Sequence, residues 1–189
     1  MKRDVPSSNT NIAMLKWEKP PPGRFKLNVD GTRSSIGLIG AGGVIRDWNG
    51  NWFHGFVLNI GTGEVLQAEA WGLFSGLQLA KELDITHMLV ESDSAVLIAL
   101  LQSRELDLHP LGTILLNFQS LMAGFESCSI SHIHRERNMV ADCLAKQSIT
   151  TELGLCKLPT LPEFAMNDLL DDLAGRCRPR GIPITIAVI

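Results

Sequence analysis

The segment Lys26-Leu27-Asn28-Val29-Asp30-Gly31 constrains the fold more than any other stretch of the chain. Leu27 and Val29 alternate with polar neighbours, the period-two pattern of a strand. The alternation puts Asp30 on the face opposite Val29 at the strand's far end, and Gly31 then frees the backbone. Taken singly, an Asp-Gly pair after a strand is an ordinary turn signal. Three more carboxylates, Glu69, Asp93 and Asp142, fall in the same way at the edges of regular elements. Acidic groups brought to one end of a sheet repel one another, so the placement calls for a compensating charge.

The elements around these four residues follow from local pattern. Phe25 to Asp30 reads as the first strand and Gly40 to Asp47 as the second. Asn49-Gly50 is a hairpin signal that makes Trp52 to Ile60 a third strand, antiparallel to the second. Val65 to Leu83 contains no proline and is rich in helix formers. Gly72, Leu73, Gly76 and Ala80 recur at helical spacing from Glu69, a small apolar stripe that lets a helix sit close on a sheet with Glu69 on its packing face. His87-Met88-Leu89-Val90 after that helix predicts a buried parallel strand, and Asp93 follows its end. Ser94 to Leu101 resumes helical composition. A further helix starts near Pro110 and stops at Gly124. Cys128 to His134 alternates as a last strand, with His132 and His134 read as strand residues, and Asn138 opens a final helix with Asp142 one turn in. The order β-β-β-α-β-α-α-β-α predicts an α/β fold: a mixed five-stranded sheet with helices on its faces.

Outside this pattern the chain reads differently. Residues 1–23 are polar and then proline-rich, which predicts a linker whose Trp17 docks on the domain; residues 24–150 form the domain; residues 151–189 form an accessory tail with a short helix over 164–173 and an apolar terminal strand from Gly181. That apolar ending is too short to span a bilayer, and the region after Met1 lacks the apolar run of a signal peptide. Four cysteines without C-x-x-C spacing point to a reduced, intracellular setting, nuclear or cytoplasmic, and the chain is expected to be a monomer. The net charge of −3 weighs mildly against a nucleic-acid partner on electrostatic grounds alone.

A pair of divalent cations would remove the repulsion among Asp30, Glu69, Asp93 and Asp142. Hard oxygen ligands with no His or Cys among them suit Mg²⁺ or Mn²⁺ rather than Zn²⁺. Arg135 and Arg137 stand where they can contact phosphates, and are equally readable as a solvated pair beside Glu136.

Asp30-Gly31 after a strand, Ala68-Glu69-Ala70 in the first long helix, Glu91-Ser92-Asp93-Ser94 after the next strand, and Asn138 to Lys146 around Asp142 resemble, in order, the motifs of the ribonuclease H fold. The match extends over roughly residues 17–150 and is similar above all to the reverse-transcriptase-associated, ribonuclease H-like domains of plants, which derive from retroelements. The resemblance implies a partner, the RNA–DNA hybrid, and endonucleolytic hydrolysis of its RNA strand by two Mg²⁺ or Mn²⁺ ions. It implies that Asp30 bridges both ions, that Asp142 completes the one activating water, and that Glu69 and Asp93 hold the one at the leaving oxygen. Gly31, Thr32, Ser94, Arg135 and Asn138 become candidate nucleic-acid contacts. Selection for RNA would use the 2′-hydroxyl. The chain departs from active members in three places. Arg135-Glu136-Arg137 occupies the loop where those members carry a mobile histidine, Ala95 replaces a frequent Gln, and the basic helical protrusion has no counterpart. The alternative is a catalytically silent ribonuclease H-like module for nucleic-acid binding or interaction, which the intact acidic quartet disfavours.

Overall fold

The computed structural model describes residues 10–183. The elements, in chain order, are β1 (Thr10–Leu15), β2 (Phe25–Arg33), β3 (Leu38–Arg46), β4 (Trp52–Thr62), α1 (Val65–Glu82), β5 (His87–Ser92), α2 (Ala95–Leu101), α3 (Gly112–Ala123), β6 (Ser127–His132), α4 (Met139–Ser148), β7 (Gly154–Leu158), α5 (Met166–Leu173) and β8 (Arg178–Pro183). The main sheet has the order β6-β5-β2-β3-β4-β7. β2, β3 and β4 form the antiparallel meander, with the turn Asp47–Asn51 held by the Asp47 carboxylate. β5 and β6 add in parallel on the other side of β2. This is the mixed sheet expected from the sequence, with one strand more: β7 extends it antiparallel to β4.

The two faces of β2 are built differently. Leu27 and Val29 pack under α1 in a core completed by Ile45, Phe56, Leu73, Leu77 and Phe118. The helix sits close because its stripe is small: a Cβ on Gly76 would lie 2.6 Å from a Leu27 methyl. Lys26, Asn28 and Asp30 line the opposite face, which α4 covers at the Asp30 end. There Gly42, the register partner of Asp30, admits the α4 backbone at Leu144 and Ala145. Val44, Val57, Val140, Leu144 and Leu169 form the second apolar cluster on this side.

The chain's flanks are more ordered than a linker and a tail. β1 pairs antiparallel with β8, Thr10 opposite Pro183 and Leu15 opposite Arg178, in a separate two-stranded ribbon. Trp17 is buried, its indole N–H donating to Asn28 at 3.0 Å and its ring stacked by the Arg46 guanidinium at 3.5 Å. Arg46 pairs with Asp172 of α5 at 2.8 Å, and both side chains are out of solvent. A buried pair of this kind adds little over an apolar contact of equal volume, but removing either partner strands the other and costs about 3–5 kcal/mol. The expected terminal strand begins earlier than Gly181, at Arg178. Residues 1–9 of the linker and 184–189 of the apolar ending lie outside the described residues. Among the described residues no helix is long and apolar enough to cross a membrane.

Candidate active site

The strand expected to end at Asp30 runs on to Arg33, paired with β3, and Asp30 instead stands just past the last pairing with β5, at Val29; the residue after it decides what can stand beside it. A Cβ on Gly31 would lie 2.7 Å from the backbone nitrogen of Glu69 and 2.9 Å from its Cγ. The missing side chain lets the second turn of α1 lean onto the strand end and deliver Glu69. Asp93 arrives from the neighbouring strand, one residue beyond β5. Carboxylate oxygens of Asp30, Glu69 and Asp93 all lie within 4.8 Å of one another. Asn138, buried at the start of α4, ties this end together: its amide nitrogen donates to the Val29 carbonyl at 2.9 Å and to Asp93 at 3.1 Å.

The electrostatics follow from burial. Desolvation, with Asp93 and Asp142 nearby, raises the Asp30 carboxyl to about 8 against the opposing effects of the Gly31 N–H and Arg135. Desolvation, with Asp30 and Asp93, raises Glu69 to about 9, and the Gly31 N–H and Ser92 hydroxyl offset only part of this. One Glu69 oxygen, Oε2, is buried without a hydrogen-bond partner. An orphaned acceptor among clustered hard oxygen donors suits a Mg²⁺- or Mn²⁺-sized cation.

Asp142 is placed differently. It projects from the first turn of α4 and is nearly buried, and its charge is felt at Asp30. Its Oδ1 accepts from Arg135 at 2.9 Å, and its Oδ2 pairs with Lys146 one turn along the helix. Of the remaining residues singled out in the sequence, Thr32 lies half-buried farther along β2, opposite Gly40, and Ser94 caps α2, its hydroxyl accepting from the Leu97 N–H at 3.3 Å. Arg137 points away from the carboxylates to Glu18 at 3.3 Å. His132 is the residue that the sequence reading passed over. The strand expected to run to His134 stops two residues earlier, at His132, whose exposed ring stands at the rim with Nε2 3.3 Å from the Asp93 carbonyl oxygen. Parallel pairing of β6 with β5, which sets His132 beside Ser92, is what brings it there. The alternation of Cys128 to His134 left its two faces ambiguous and gave no signal for this.

An antiparallel meander continued by two parallel strands, with one carboxylate on β2 just past its last pairing with β5, one just beyond β5 and helices supplying two more, defines a ribonuclease H-like fold. Solved structures agree. The RNase H1 of the archaeon Halobacterium salinarum superposes with a TM-score of 0.61 at 24% identity, covering 67% of this chain and 98% of that one. The N-terminal RNase H domain of a Mycobacterium tuberculosis protein, solved as a maltose-binding-protein fusion, gives 0.62 at 26% identity, covering 67% and 94%. LC11-RNase H1, solved in complex with RNA/DNA hybrid, gives 0.58 at 22%, covering 67% and 96%. Residues 28–148 match the family described as reverse transcriptase-like, and the chain belongs to that family. It is also 36% identical over 170 residues to an Arabidopsis thaliana protein provisionally named a ribonuclease H protein; the match takes in 89% of this chain, which spans only 27% of that protein's length.

Proposed function

We propose that the chain hydrolyses the RNA strand of RNA–DNA hybrids endonucleolytically, acting as a monomer with two divalent cations, Mg²⁺ or Mn²⁺. The observation that carries this reading is the convergence of Asp30, Glu69 and Asp93 within 4.8 Å, with a buried Glu69 oxygen left without a partner. Asp30, Glu69, Asp93 and Asp142 would hold the cations, which when bound supply Lewis acidity at phosphorus and a water acidic enough to attack at neutral pH. The residues of the chain do the rest. Asp30 and Glu69, raised by burial to about 8 and about 9, would have to release protons to hold a cation, so binding would be coupled to proton release. Asn138 keeps Asp93 in register with the end of β2. The exposed guanidinium of Arg135 and ammonium of Lys146 face solvent beside Asp142, where a phosphate of the hybrid would meet them.

A second reading has its own observation. Both Asp142 oxygens are already neutralised by the chain's own cations, as suits a silent module that binds nucleic acid without cutting it. Labelled RNA–DNA hybrid, single-stranded RNA and duplex DNA incubated with the protein in Mg²⁺, Mn²⁺ or chelator separate the two. Metal-dependent cutting of hybrid RNA to 5′-phosphate ends, lost in Asp30→Asn, is the expected result. Hybrid retention without cleavage in either metal would establish the silent module.

A further inference from the structure

The segments that flank the family's residues 28–148 reach the candidate site through one short turn. Arg135–Arg137 is a single 3-10 turn between β6 and α4, and none of its residues is buried. Buried Ile133 and Asn138 hold its flanks, and its own side chains are placed by polar partners. Each of its three side chains goes to a different body. Arg135 takes Asp142. Glu136 takes Arg180 of β8 at 3.0 Å, and its carbonyl accepts from Arg178 at 3.3 Å. Arg137 takes Glu18, from the segment between β1 and β2.

The flanks are themselves anchored to the strands that carry the carboxylates. Arg178 shares Asp172 with Arg46, at 2.9 and 2.8 Å. Arg46 donates to Asn28 at 2.8 Å, and Asn28 donates to Glu91 at 2.8 Å. Lys26 closes the lattice, bonding Glu91 and the Glu18 carbonyl at 2.6 and 2.7 Å. Asn28 and Glu91 stand two residues before Asp30 and Asp93, on the same sheet face. The lattice that fixes the turn from behind therefore rests on the two strands whose ends form the site.

We infer that Glu136, Arg178 and Arg180, with Glu18 on the other side, are positioning residues: they hold the turn where Arg135 meets Asp142 and so set how the site engages a hybrid. This rests on the reading of Arg135 as a phosphate contact given above. Exposed ion pairs contribute little to stability. The Arg180–Glu136 pair, still partly open to solvent, is thus free to serve geometry at small cost to the fold.

The test uses the full chain with Arg180→Ala, Glu136→Gln and the conservative Arg180→Lys, alone and combined with Arg135→Ala. Hybrid affinity is measured with Ca²⁺ in place of Mg²⁺, KM and kcat in Mg²⁺, and amide hydrogen exchange across residues 134–142 in the metal-free protein. Arg180→Ala and Glu136→Gln are expected to weaken hybrid affinity and raise KM about 3- to 10-fold with kcat within about twofold, the scale of coupling between contacting residues. Exchange across the turn accelerates, Arg180→Lys restores the parent values, and Arg180→Ala adds nothing once Arg135 is removed. Unchanged exchange across the turn overturns the inference, whether or not the parent binds hybrid. So does an undiminished Arg180→Ala effect in the Arg135→Ala background. A parent that neither binds nor cuts hybrid refutes the proposed function instead and leaves hydrogen exchange to decide on positioning.

Discussion

Gly31 and Glu69 stand so close that no side chain fits between them: a Cβ on Gly31 would lie 2.7 Å from the Glu69 backbone nitrogen. Gly31→Ala should therefore push the second turn of α1 off the strand end. The expected cost is about 1–3 kcal/mol, as for overpacking, together with weaker Mg²⁺ binding because Glu69 leaves the cluster. Thermal melts over a Mg²⁺ titration check both, and unchanged metal stabilisation would mean that Glu69 is no ligand.

The raised carboxyls make a pH signature. In the folded, metal-free protein Asp30 and Glu69 keep protons that the unfolded chain, titrating near its ordinary 3.8 and 4.5, has already released. The native state binds more protons across this window, so stability falls as pH rises from about 4 towards about 8 for Asp30 and about 9 for Glu69. Melting temperatures in chelator should decline over that range, and less steeply in Asp30→Asn, which should also melt higher than the parent near neutrality. The rise in melting temperature on adding Mg²⁺ should grow with pH in the parent and vanish in Asp30→Asn. Parallel curves for the two proteins would show that Asp30 carries no such penalty.

Arg135 and Lys146 are predicted to act in opposite senses on metal and hybrid. Removing either guanidinium or ammonium exposes an Asp142 oxygen, so Arg135→Ala and Lys146→Ala should tighten cation binding in the free protein. The same changes should weaken hybrid binding and flatten its log–log salt dependence by about 0.9 for each phosphate that is no longer neutralised. Calorimetric Mn²⁺ titrations and a salt series of binding isotherms measure the two effects. Loss of metal affinity in these variants would show that the pairs support the site rather than compete for it.

His132 is expected to matter for turnover and not for metal. Its exposed ring at the Asp93 carbonyl is within one hydrogen bond of the cluster without being a carboxylate ligand. His132→Ala should lower kcat about 100-fold, the low end of what a missing proton-transfer group costs, with Mg²⁺ stabilisation intact. Equal kcat in parent and variant removes His132 from the reaction.

The order of elements along the chain, and the convergence of Asp30, Glu69 and Asp93, were legible because the signals are local. Alternation around Leu27 and Val29, the small stripe on α1, and a carboxylate after each of two strands can be read within a few residues. What stayed hidden depends on distant pairs. Nothing near Thr10–Leu15 announces a partner at Arg178–Pro183, and nothing near Arg46 announces Asp172. β7 is a short edge strand, exposed along most of its length, whose sequence shows neither alternation nor an apolar run to mark it. At the site, helical spacing placed Asp142 on the right turn, but Lys146 one turn further was not seen as its counter-charge. His132 reached the rim through strand register, which a single sequence does not display.

Because Thr10 faces Pro183 across the ribbon, the described chain enters and leaves at adjacent points. A short bridge between these residues would convert the fold into a closed loop, and it could be reopened at the exposed turn Ser35-Ile36 between β2 and β3 with the sheet order preserved. The same geometry governs mechanical load. Tension drawn through both flanks acts on the ribbon in peeling mode, parting its rungs one after another from Thr10–Pro183 inwards. Arg180, opposite Ala13, lies on the fourth of the six rungs, so a pull on the flanks reaches the turn behind Arg135 before it strains the main sheet.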